Sequence, residues 1–92
     1  MARQIHRDLE FHVEGPRERD TFVTRRFPEA AAEAVARSVA YGAKITLDVV
    51  AFSPAAARAW GGDELYQLAR EDPELSVLER IIVHADSRGH VR

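Results

Sequence analysis

Between Ile5 and Glu14 the side chains alternate strictly. Ile5, Arg7, Leu9, Phe11 and Val13 fall on one side and His6, Asp8, Glu10, His12 and Glu14 on the other. A period of two is what a strand with one buried face requires, because successive Cβ atoms point to opposite sides of the pleat. It commits the start of the chain to a sheet that something must cover.

Gly15-Pro16 closes the first strand, since proline cannot donate to a ladder. "RERD" leads into "TFVTRRF", Thr21 to Phe27, which is rich in β-branched and aromatic residues, so the opening reads as a hairpin. "PEAAAEAVARSVAYG" follows as a helix, with Pro28 and Glu29 in its first turn and Gly42 as its stop. Its inward stripe is expected at Ala31, Val35, Ser38, Val39 and Tyr41, with Glu33 and Arg37 paired four apart outside. "AKITLDVVAF" returns to alternation and reads as a central strand.

In "FSPAAARAWGGDEL" Ser53 is an N-cap type, Pro54 suits a first helical position and Gly61-Gly62 breaks the helix before "ELYQLARE", with Asp63 expected to cap that second piece. Trp60, the only tryptophan, is expected to plug the helical layer onto the sheet rather than to recognise a ligand. The last strand, "SVLERIIVHAD", sends Val77, Ile81, Val83 and Ala85 one way and Leu78, Ile82 and His84 the other, which implies burial on both faces. Ser87 to Gly89 reads as a turn, after which "HVR" either folds back briefly or frays.

The 92 residues therefore make one α+β domain, 1–92. The expectation is a two-layer sandwich, a four-stranded sheet in the order β-β-α-β-α-β with its helices on one face. In element order alone the β-β-α-β beginning is similar to antitoxin-like and double-stranded-RNA-binding-like modules. That resemblance carries no functional positions across.

Composition narrows the chemistry. A formal charge of −2 provides no global basic field. No cysteine is present, so thiolate nucleophiles, thiolate zinc sites and disulfides are excluded. No apolar stretch resembles a signal peptide or a membrane span; the expectation is a cytoplasmic protein. No phosphate loop, dinucleotide fingerprint or nucleophile elbow occurs, and no cofactor or metal is expected.

Three surfaces remain. With both helical segments on one side of the sheet, Val50, Phe52, Leu78 and Ile82 are left uncovered, and apolar surface of that size marks an interface. The leading expectation is accordingly a protein-contact module, a homodimer or a complex with a protein partner, and not an enzyme. Arg17, Arg19, Arg25 and Arg26 form the basic cluster, a contact for phosphate or an acidic partner in a nucleic-acid-associated or regulatory module. The third is a metal or acid/base site built on His12 or His84, but His6 and His12 would stand about 20 Å apart along a strand, too far to share an ion. Only Glu10 and His12, joined by His84, could converge, and His84 with Asp86 makes a generic acid/base pair.

Overall fold

The computed structural model describes residues 6–17, 19–86 and 90–91. Its elements are β1 (Leu9–Glu14), β2 (Phe22–Thr24), α1 (Phe27–Tyr41), β3 (Ile45–Ala51), α2 (Pro54–Gly61), α3 (Asp63–Glu71) and β4 (Val77–Val83). The four strands form one antiparallel sheet in the order β2-β1-β3-β4. The helices share one core cluster with one face of that sheet, the two-layer α+β arrangement expected from the sequence.

The alternation in β1 survives from Leu9 onward: Leu9, Phe11 and Val13 are fully buried. His6 lies outside the strand, in a turn closed by the Leu9 N–H donating to the His6 carbonyl at 2.9 Å, and Ile5 lies outside the described residues. On β3, Ile45, Leu47, Val49 and Ala51 supply the same face.

Helix α1 approaches through its smallest side chains. Ala30, Ala34 and Ser38 are fully buried, whereas Val39 and Tyr41 are exposed. The buried stripe is thus rotated from the one expected through Val39 and Tyr41, because alanine and serine at four-residue spacing let the helix lie close to the sheet. Ser38 Oγ donates to the Ala43 carbonyl at 2.7 Å and accepts from the Ala85 N–H at 2.8 Å. One hydroxyl therefore ties the helix end to the chain beyond β4.

Arg37 does more than pair with Glu33, which it meets at 2.7 Å. Its guanidinium also donates to the carbonyls of Val13, Gly15 and Asp20, stapling α1 over the β1–β2 connection. Replacing Arg37 by methionine is expected to speed amide exchange across residues 14–21 while leaving β3 unchanged. Equal exchange in both variants would contradict the staple.

Ser53 caps α2, accepting from the Ala56 N–H at 3.2 Å. The break between α2 and α3 falls at Gly62, whose φ of 79° and ψ of −160° suit glycine alone. Gly62, not Asp63, is the N-cap of α3; Asp63 is already helical and pairs with Arg58 at 3.1 Å. Gly62→Ala should lower stability by about 1–2 kcal/mol, read as a fall in the urea midpoint. An unchanged midpoint would contradict the assignment.

Trp60 is the plug that its position suggests. Its ring meets Phe11 at 5.4 Å and Phe27 at 5.5 Å between centroids, and Nε1–H donates to Glu79 Oε1 at 3.0 Å. The aromatic trio joins α1, α2 and the sheet.

Two expectations about β4 are corrected. It is an edge strand rather than one buried on both faces, and Val77 and Ile82 are 40% and 52% exposed. It also returns antiparallel beside β3, so α2 and α3 form a long connection between neighbours and not a second crossover.

Candidate functional site

Antiparallel registry lays out the helix-free face in rows. Across its middle run Val23, His12, Asp48 and Arg80; one row on lie Glu14, Thr46 and Ile82, and on the other side Glu10, Val50 and Val77. The face is polar at its centre, and at its β4 margin Val77 and Ile82 flank Arg80.

The centre is held by ion pairs. Arg80 binds Asp48 through two parallel hydrogen bonds of 2.8 and 2.9 Å. Asp48 is 5% exposed, whereas the Arg80 side chain is 61% exposed. The hydrogen bond to Asp48, and then the attraction of its charge, raise the Arg80 guanidinium above its ordinary value. Such a forked pair is the geometry arginine supplies best. Alongside it, His12 Nε2 lies 3.0 Å from Glu10 Oε1.

The four apolar residues expected on this face part company. Ile82 is there and exposed. Val50 is there but only 6% exposed, enclosed in the middle of the sheet by neighbours on both flanking strands. Leu78 faces the other way: the pairing jumps from Val49↔Glu79 to Val50↔Val77. That bulge puts one extra residue in β4 and turns Leu78 into the helix-side core, with Val77 taking the outer position. Phe52 is 60% exposed, but it lines a groove of about 490 Å³ at the end of β3 with Pro54, Ala69, Arg70, Pro73 and Leu75. The exposed apolar positions of the face are therefore Val77 and Ile82 at one margin and Val23 at the other.

Arg17, Arg19, Arg25 and Arg26 are all exposed. They sit as two pairs at opposite ends of β2, the first in the β1–β2 connection and the second between β2 and α1. Arg26 lies 3.7 Å from Glu29.

The histidines do not converge. β3 separates His12 on β1 from His84 beyond β4, so the Glu10–His12–His84 grouping is not formed. Asp86 pairs with His90 rather than standing as the partner of His84: its Oδ2 lies 3.8 Å from His90 Nδ1, and its Oδ1 accepts from the His90 N–H at 2.9 Å. Among the described residues no three His, Asp or Glu side chains are grouped to hold a metal ion. Nor is any described helix long and apolar enough to cross a membrane.

No protein-family model matches this chain, and no curated protein or solved structure matches it significantly.

Proposed function

We propose that this domain works by protein contact, and that the contact is self-association through the side of the sheet that carries no helix. What supports the reading is the exposure of Val77 and Ile82, 40% and 52%, on either side of Arg80 on the helix-free face of an edge strand. The polar centre of the face does not oppose such a contact. Asp48 and Arg80 satisfy one another within one copy, so a second copy meets a paired charge at the middle of the face.

Solution mass across a concentration series tests this. The wild-type protein is expected to pass from monomer to dimer, and Ile82→Lys to remain monomeric with an unchanged far-ultraviolet spectrum, since position 82 is exposed in the single copy. A monomer at every concentration would overturn the proposal, as would a dimer indifferent to Ile82→Lys.

A further inference from the structure

We infer that the groove at the end of β3 binds a small apolar monocarboxylate, with Arg70 holding the carboxylate and the Phe52 ring packing on the apolar body. This goes beyond self-association and stands without it.

The groove has the size and surface of a ligand site. Its volume is about 490 Å³, inside the range of clefts that take small molecules. Phe52, Pro54, Ala69, Pro73 and Leu75 give it an apolar lining. Among the described residues Phe52, at 60%, is the most exposed of the large apolar side chains, and it stands on this groove.

The walls are held in place by the backbone. Ala51 N–H donates to the Ser76 carbonyl and Phe52 N–H to the Asp8 carbonyl, each at 2.7 Å, so the chain that carries Phe52 is tied to segments on both sides. Beyond α3, Leu75 N–H donates to the Asp72 carbonyl at 3.0 Å and Glu74 N–H to Asp72 Oδ1 at 3.1 Å. That turn fixes Pro73 and Leu75 against the groove. A ligand entering a cleft already shaped has little left to order.

The polar groups select the charge. The polar side chains of the lining are Ser53, Arg70 and Ser76, all able to donate, and no carboxylate is among them. Ser53 Oγ already accepts from the Ala56 N–H at 3.2 Å, which leaves its hydrogen to be donated. Among the described residues no carboxylate pairs with Arg70. Its neighbour Asp72 turns a carboxylate oxygen to its own turn, and the guanidinium lies 5.7 Å from the centre of the Tyr66 ring. A planar guanidinium in this position takes a carboxylate through two parallel hydrogen bonds. Glu71, Asp72 and Glu74, exposed around the same helix end, disfavour a multiply charged ligand such as a phosphate monoester or a nucleic acid. One negative charge on an apolar body is the chemistry that fits.

The test follows the backbone amide resonances of the full chain on titration with phenylpropanoate and, separately, with its uncharged isostere phenylpropanamide. Saturable displacements at Phe52, Ala69 and Leu75 are expected with the acid, with a Kd on the order of 1 mM, and binding about tenfold weaker with the amide. Arg70→Gln should bring the acid down to the affinity of the amide while leaving the amide unchanged, a split that a merely structural role for Arg70 would not produce. Phe52→Ala should weaken both ligands. Positions 52 and 70 are exposed, so both variants are expected to keep the fold. No saturable displacement below about 10 mM, equal affinity for acid and amide, or acid binding indifferent to Arg70→Gln would overturn the site.

Discussion

Replacing Phe11 by alanine is expected to lower stability by about 3–5 kcal/mol, the usual cost of emptying a fully buried aromatic site. Phe11 is 0% exposed on β1, and its ring meets both Phe27 of α1 and Trp60 of α2. Removing it leaves a void bounded by two large rings on different helices, neither of which can fill it without giving up its other contacts. In a domain this small, each 1 kcal/mol moves the melting midpoint by about 4–8 °C, so thermal unfolding should begin well below that of the parent. Phe11→Leu, which keeps most of the volume, should recover more than half of the loss. Equal stability of Phe11→Ala and the parent would show that the aromatic trio does not anchor the helical layer.

The second large effect is expected at Ser38. A serine in the middle of a helix is ordinarily replaceable by alanine, with a small gain in helix propensity. Here Ser38→Ala should cost about 2–4 kcal/mol, because it strips the Ala85 N–H and the Ala43 carbonyl of the same partner, at about 1–2 kcal/mol for each orphaned group. The hydroxyl is fully buried and joins two segments far apart in the chain. Urea unfolding of the two proteins checks this. A neutral or stabilising result would mean that water reaches both backbone groups and that the hydroxyl is dispensable.

These positions also show what could be read from the chain. The period-two runs through Leu9–Val13 and Ile45–Ala51, the capping serine at Ser53 and the glycine break after Trp60 are local signals, and each appears in the fold where it was expected. Strand order is set by contacts between distant segments. Without it, Asp48 and Arg80 were two outward residues on separate strands, and nothing in their spacing announced a forked pair. Because β4 carries apolar residues on both faces, its composition suggested an interior strand; it is an edge, where the same residues are partly open to solvent. The bulge opposite Val49 and Val50 exchanged Leu78 for Val77 on the open face, and a single-residue slip of this kind leaves no mark in the alternation. On α1 the apolar valines drew attention from the alanine stripe that sits on the sheet.

The measurement that bears most directly on the functional reading is a residue-resolved map of backbone resonances followed on dilution. Displacements that grow with concentration and centre on Val77, Arg80 and Ile82, leaving α1 and the outer side of α3 still, are the predicted result. Displacements centred on Leu68 and Tyr66, or no movement anywhere over the range, would contradict contact through the helix-free side of the sheet.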